Sequence, residues 1–417
     1  MRCLLAVLLW SMALSTRGQH VLIPMDEAQT DHLKAYGVAY WALGRDKTVD
    51  WLLNYRGGSF LLPLSEDVHR ECSVRGVAFE LLAIAETNQV LAEIASPSVN
   101  MEVVRLEKAP RIAVYTPTRH EIITDDTDAV VLVLDYAEIP YAKLYDEDVL
   151  ADTLQHFDWL HLHHEDFTGQ LGRSFRRASQ MLEARLQETL ALKLGYTKVS
   201  MLKREVTRRV YAFCAGGGYL FAMCSGAETF DIALAADGVD IVSSAYDGDD
   251  ADPDAQDKLD FGRSLAFENF TLEPPESRKF SDINTGNGGW YAGGSLGYFS
   301  LFPFSAKWDI VPAMLVQNHQ QQIKEFYGQT TSFQKALVKP SAWILGENRS
   351  GGSVRYLYGE FGRGHWTYYS GHDPEGVPGR GRGQSGTDLR LFPNSPGYRL
   401  ILNNVLFPSA KKKKQKT

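Results

Sequence analysis

Three stretches of the chain hold side chains whose types and spacing suit covalent or acid–base chemistry. In Gly216-Gly-Gly-Tyr-Leu-Phe-Ala-Met-Cys224-Ser-Gly-Ala-Glu-Thr229 an apolar strand ends on a small residue and a helix begins. A cysteine at such a bend is lifted out of a sheet beside the N–H groups of a helix N-terminus, which lower a thiol pKa and can cradle an oxyanion. Cys224 is therefore the candidate nucleophile. The alternative is a small buried residue where strand meets helix. The second stretch runs from Glu360 to Glu375, where a turn opens a strand that delivers His372, with Glu375 three residues on. A nucleophile needs a base and the base needs an orienting acceptor. His372 and Glu375 supply both if their strand lies beside that of Cys224; in the other reading His372 caps a turn in a surface loop.

The third stretch is Asp158-Trp-Leu-His161-Leu-His163-His164-Glu165-Asp166. His161 and His163 share one strand face and at i, i+2 can bind one metal, with further ligands drawn from His319, His365 or His372. A packed, hydrogen-bonded strand accounts for the same histidines. In that reading the strand end carries His164, Glu165 and Asp166 into the crevice of Cys224, so His164 and Glu165 join the candidate catalytic set, and no metal ligands and no cofactor are assigned. The acidic run Asp247–Asp257 has the oxygen density for calcium but lacks the EF-hand glycine and terminal glutamate, and reads as a solvated loop. Asn269 and Asn348 open glycosylation sequons that matter only in a eukaryotic secretory pathway. Arg56-Gly57-Gly58 reads as a turn, with carboxylate binding as the alternative.

The elements that must position these groups alternate along the chain. Compact apolar runs at Ile112–Tyr115, Ala142–Tyr145, 159–163 and Tyr219–Met223 predict strands. Helical patterns cover 128–138, 176–194, 199–213 and 227–236, the first ending before Pro140. Strand and helix in turn imply βαβ units and a parallel sheet, where active residues gather at the carboxyl ends of strands. Upstream, an irregular α+β region has helices over about 26–43 and 87–94 and short strands at 51–53 and 60–62. Residues 245–300 lose periodicity and read as a surface excursion or lid. Strands at 341–345, 354–358 and 365–369 and a helix over 398–406 close the chain. The resulting division is a leader at 1–19, an N-terminal region at 20–107, an α/β domain at 108–408 and a basic tail at 409–417.

The 417 residues are 44% hydrophobic and 23% charged, which excludes disordered, collagenous and coiled-coil classes. Residues 4–14 form an apolar run after Arg2, too short to span a bilayer but shaped as an export leader. The expected mature chain is periplasmic or secreted, without an integral membrane segment. Cys72, Cys214 and Cys224 remain after leader removal, an odd number that offers no disulfide framework. The net charge is −8; without Arg2, Arg17 and the five lysines of the last seven residues the body carries −15. Such a body repels phosphate backbones and argues against a nucleic-acid partner. The partner expected is a small-molecule substrate or another protein.

The paired stretches, Gly216 to Phe230 and Gly364 to Glu375 with the closing helix, resemble the trehalose-utilisation (ThuA-like) branch of the class I glutamine amidotransferase-like fold. The resemblance covers roughly residues 108–408 and implies a flavodoxin-like parallel sheet. It also implies a Cys–His–Glu set that falls on Cys224, His372 and Glu375. Ala222 stands where the family has Gly two residues before the nucleophile, and Asp373 is inserted between the His and Pro-Glu. The ThuA-like branch often carries His at the elbow. Met25 to Gly37 and Asp158 to Gln170 also resemble exported Bacteroidetes proteins labelled asparagine synthetase B. That label implies an N-terminal catalytic Cys and an ATP-binding S-G-G-x-D motif. Here Cys3 lies inside the leader and the nearest match, Ser350 to Arg355, lacks the Asp. The activity expected is hydrolysis or a related amide or sugar transformation; the competing expectation is a non-catalytic binding or envelope-assembly protein, and metal-dependent hydrolysis is the third.

Overall fold

The computed structural model describes residues 19–119, 128–173, 178–286, 297–326, 328, 330–348, 351–376 and 387–411. Nearly all of the leader, the glycine-rich loop at 379–386 and most of the basic tail lie outside these residues, as does the glycine-rich run at 287–296. Among the described residues no helix is long and apolar enough to cross a membrane.

The chain begins with an antiparallel sheet of β1 (His20–Ile23), β2 (Val49–Leu53), β3 (Ser59–Pro63), β4 (Glu80–Leu82) and β5 (Glu102–Leu106), ordered β4-β1-β3-β2-β5. The helix expected from residue 26 starts at His32 instead, because Asp31 in extended conformation caps it and accepts from the Lys34 amide. This first sheet is tied to the end of the chain. The fully buried Arg399 donates to the carbonyls of Met25 (2.8 Å) and Gly57. Arg56, left-handed at φ 45°, bridges Asp26 and Glu80, so its carboxylates are this protein's own.

The second sheet is mixed. Its parallel part is formed by β6 (Ile112–Tyr115), β7 (Ala142–Leu144), β8 (Trp159–Leu162), β9 (Tyr219–Met223) and, from the far end of the chain, β15 (Gly364–Tyr369). Between the last two in sequence come β10 (Tyr298–Leu301), β11 (Gln322–Lys324), β12 (Phe333–Gln334), β13 (Trp343–Asn348) and β14 (Ser353–Phe361), which extend the sheet antiparallel beyond β15. The spatial order of the parallel strands is β7-β6-β8-β9-β15. β8 and β9 are buried along their whole length, which explains why they read as unbroken apolar runs. The fold is thus α/β with a parallel-containing sheet.

Two expectations change. The helix after β9 begins at Cys224, three residues earlier than the periodicity suggests, and all twelve residues of Cys224–Ala235 are buried. Residues 259–283 are not a surface excursion: Leu265, Ala266, Phe267, Phe270, Phe280 and Ile283 sit in the core and cover that helix. The physical link is a pair of buried carboxylates on the helix. Asp231 accepts from the amides of Leu265, Ala266 and Phe267 at 2.8–2.9 Å, and Glu228 accepts from the Ser281 amide and hydroxyl at 3.1 and 2.9 Å. The acidic loop is organised by Lys198, whose ammonium reaches Asp240, Asp247 and Asp249.

Candidate active site

The carboxyl ends of β8, β9 and β15 converge on Cys224. Register pairs Leu162 with Ala222 and Tyr369 with Met223, so Cys224 follows directly on the central strand, with the His163 segment on one side and the His372 segment on the other. Cys224 adopts φ 52°, the left-handed region that costs a side-chain-bearing residue roughly 1–2 kcal/mol. A non-glycine residue held there at a strand-to-helix elbow is characteristic of functional positions. The turn is packed tightly. The Gly226 amide donates to the His163 carbonyl at 3.1 Å, and a Cβ at Gly226 would stand 2.3 Å from that oxygen. Ser225 Oγ donates to the His164 carbonyl at 2.9 Å, and Thr229 Oγ1 to that of Glu165 at 2.8 Å. Gly226→Ala is therefore expected to force the elbow away from β8 and cost about 1–3 kcal/mol, read as a lower urea midpoint. An unchanged midpoint would mean that the β8 end yields freely.

Cys224 is fully buried. Its Sγ accepts from the Thr330 amide at 3.4 Å, and the Thr330 carbonyl in turn accepts from the Gly371 amide at 2.6 Å. A Cβ on Gly328 would stand 2.9 Å from Sγ and 3.2 Å from the His372 amide nitrogen, so the Cys224 sulfur and the His372 backbone meet across that glycine. His372, 4% exposed, packs edge-on to the His163 ring with centroids 4.8 Å apart. His164 Nδ1 lies 3.0 Å from His163 Nδ1, and its ring is 6.0 Å from that of His372. Four of the five sequence candidates (Cys224, His372, His164 and Glu165) thus share one strand-end region. Glu375 is engaged elsewhere: Oε1 accepts from Ser395 Oγ at 2.6 Å, at the cap of the closing helix, and Oε2 is 3.9 Å from Lys324. Burial pushes its carboxyl above the usual range. Gly328 and Thr330 stand against the sulfur and help to bury it.

Three groups in the site escaped the sequence reading. Glu228, one helical turn beyond Cys224, is fully buried and accepts from Thr330 Oγ1 at 2.6 Å, so Thr330 touches the thiol with its amide and Glu228 with its hydroxyl. Burial raises the Glu228 carboxyl to about 7, against the hydrogen bonds of Thr330 and Ser281. Its i, i+4 spacing from Cys224 was the available signal. Thr330 had none. Asp128, read only as a helix start, caps Ala129–Tyr136 with Oδ1 and turns Oδ2 toward His161 Nε2 (3.1 Å) and His163 Nδ1 (3.3 Å). Burial would push its carboxyl up; the imidazoles of His163 and His161 overbalance this and hold it well below the usual carboxylate range. Of the distant histidines, His319 lies against Arg399 and His365 against Tyr358. An open cleft lined by Arg111, Asp158, Arg209, Gly217 and Arg363 lies at the opposite, amino-terminal ends of the strands, away from these groups.

No family model matches the sequence, and no curated protein matches it. Among solved structures, a cytoplasmic protein of Salmonella typhimurium is 12% identical, with 73% of this chain and 100% of that one covered and a TM-score of 0.36. A second cytoplasmic protein of Salmonella typhimurium is 10% identical, covering 72% and 99%, with a TM-score of 0.36. A catalytic mutant of a GH42 β-galactosidase from G. stearothermophilus is 9% identical, covering 63% of this chain and 27% of its own, with a TM-score of 0.27. At these scores none of them identifies the fold family or the function of this chain.

Proposed function

We propose that the chain is an exported enzyme of the flavodoxin-like, class I glutamine amidotransferase-like type, ThuA-like branch, acting at a carbonyl-type centre of an amide- or sugar-type substrate. The observation that carries this reading is the left-handed Cys224 at the strand-to-helix elbow, with a histidine pair from β8 and His372 from β15 beside it. The strand order, in which the second, first, third, fourth and fifth parallel strands lie side by side, supports the flavodoxin-like assignment. Export rests on the apolar leader, and a periplasmic or secreted site of action goes with it.

In this reading the Cys224 thiol gives its proton to His372 and the sulfur attacks the carbonyl carbon. The tetrahedral oxyanion collapses, the leaving group takes the proton from His372, and water then cleaves the thioester. The Gly226 amide is committed to His163, whereas the Thr330 amide is aimed at the sulfur. Glu375 acts through the cap of the closing helix as a positioning residue. A second reading, a binding or envelope-assembly protein, is favoured by the complete burial of Cys224 and by the outward aromatic side chains of Tyr298, Phe302, Trp308 and Trp343.

Iodoacetamide labelling separates the two, and the chain carries its own standards. Burial pushes the Cys72 and Cys214 thiols up to about 12. Cys224 is expected to label at least about tenfold faster than either in the folded protein at neutral pH, and His372→Ala to slow it about tenfold or more. Cys224 labelling no faster than the other two would abandon the nucleophile and leave the binding reading.

A further inference from the structure

We infer that Asp128, His161 and His163 form a binding site for one divalent transition-metal ion of the zinc type. Each offers one ligand atom, these atoms lie within 4.8 Å of one another, and all three side chains are at most 2% exposed. The site stands where β6 sends the chain to β7 on one side and borders β8 on the other, the reversal of strand order at which α/β sheets hold ligands.

The donor count points to a cation. His161 Nδ1 faces the Phe221 carbonyl at 3.2 Å and Nε2 faces Asp128 Oδ2 at 3.1 Å. A neutral imidazole has one N–H, so one of these two acceptors needs either a second ring proton or a cation. With an ion present the conflict at His161 is resolved: Nδ1–H donates to Phe221, and the Nε2 lone pair and the Asp128 carboxylate both turn to the metal. A backbone carbonyl on the far nitrogen is the usual way a ligating histidine is oriented. Asp128 is oriented as firmly, because Oδ1 accepts from the Val130 and Val131 amides at 2.7 and 3.3 Å while Oδ2 faces the histidines.

Spacing agrees as well. Two ligands each about 2.0–2.1 Å from one tetrahedral ion stand about 3.3 Å apart. Asp128 Oδ2 lies 3.1 and 3.3 Å from the two nitrogens. Two imidazoles with one carboxylate suit zinc and its neighbours rather than calcium or magnesium. His164 Nδ1 lies 3.0 Å from His163 Nδ1 and the His372 ring packs on that of His163, so the ion would border the cysteine crevice while taking nothing from the thiol.

The test uses the untagged full chain, stripped with chelator and titrated separately with Zn²⁺ and Co²⁺. One equivalent is expected, with the visible Co²⁺ absorption of a four-coordinate site and displacement by Zn²⁺. Asp128→Asn and His163→Gln should each weaken Co²⁺ binding by more than the roughly 10–100-fold that a lost outer partner costs. Cys224→Ser should keep the full equivalent, which separates this site from the cysteine chemistry. A folded parent chain that binds neither ion overturns the inference, whatever the variants do. So would folded Asp128→Asn and His163→Gln variants that bind Co²⁺ as tightly as the parent.

Discussion

Glu228→Gln is expected to match the parent protein in stability at pH 4 and to exceed it by about 3 kcal/mol at pH 8. The carboxyl titrates near 4.5 when unfolded and at about 7 when folded, burial being the largest cause. Between these values the folded state holds a proton that the unfolded state has released. Stability therefore falls as pH rises through this window, by about 1.36 kcal/mol for each pH unit crossed. The contribution is intact below 4.5 and is lost once pH passes about 7. Gln does not titrate, and it keeps the geometry of the neutral acid. Its oxygen accepts from the Ser281 amide and hydroxyl, and its NH₂ donates to Thr330 Oγ1. Urea unfolding of both proteins at unit pH intervals from 4 to 8 checks this, and a stability difference that stays flat across that range would refute it. The result also bears on the cysteine, because Thr330 carries the amide aimed at Sγ.

A loss of about 3–5 kcal/mol is expected for Lys203→Met. The Lys203 ammonium lies 2.7 Å from Asp146 Oδ2 with side-chain exposures of 2% and 0%, and Tyr115 completes the set through its hydroxyl, 3.1 Å from the ammonium. The three groups come from the helix Val199–Ala215, the residues after β7 and the end of β6, so they pin the switch point on which the histidine cluster is built. Removing the ammonium leaves the Asp146 carboxylate buried without its counter-charge, which costs far more than the pair contributes against an apolar replacement. The triple change Lys203→Met, Asp146→Leu, Tyr115→Phe should recover most of the loss. A single Lys203→Met variant within about 1 kcal/mol of the parent would show that water reaches Asp146 after all.

Strands β8 and β9 were legible because burial on both faces leaves an apolar run, and the elbow because a small polar residue follows such a run directly. The helix start was misjudged by three residues at Cys224. Hydrophobic periodicity fades in Ser225-Gly226-Ala227, where packing against the His163 carbonyl, not side-chain pattern, holds the turn. The irregular segment at 259–283 looked like surface for a similar reason. Its amides are paired with Asp231 and Glu228 across the helix, and no short-range pattern marks an amide bonded to a carboxylate 34 or 53 residues away.

For the site, residue types and strand ends pointed to one crevice for Cys224 and the His164–Glu165 segment, since parallel strands deliver their carboxyl ends to one edge of a sheet. His372 joins them only because β15 pairs with β9, which the sequence left open. Which carboxylate each histidine meets was decided only by tertiary structure. Glu375, three residues from His372 in sequence, turns to Ser395, while Asp128, more than thirty residues from His161, supplies the carboxylate that faces both strand histidines. Side-chain spacing along one element is set by backbone geometry and can be read locally. The partner of a buried charge is set by which elements pack together, and that depends on the whole chain.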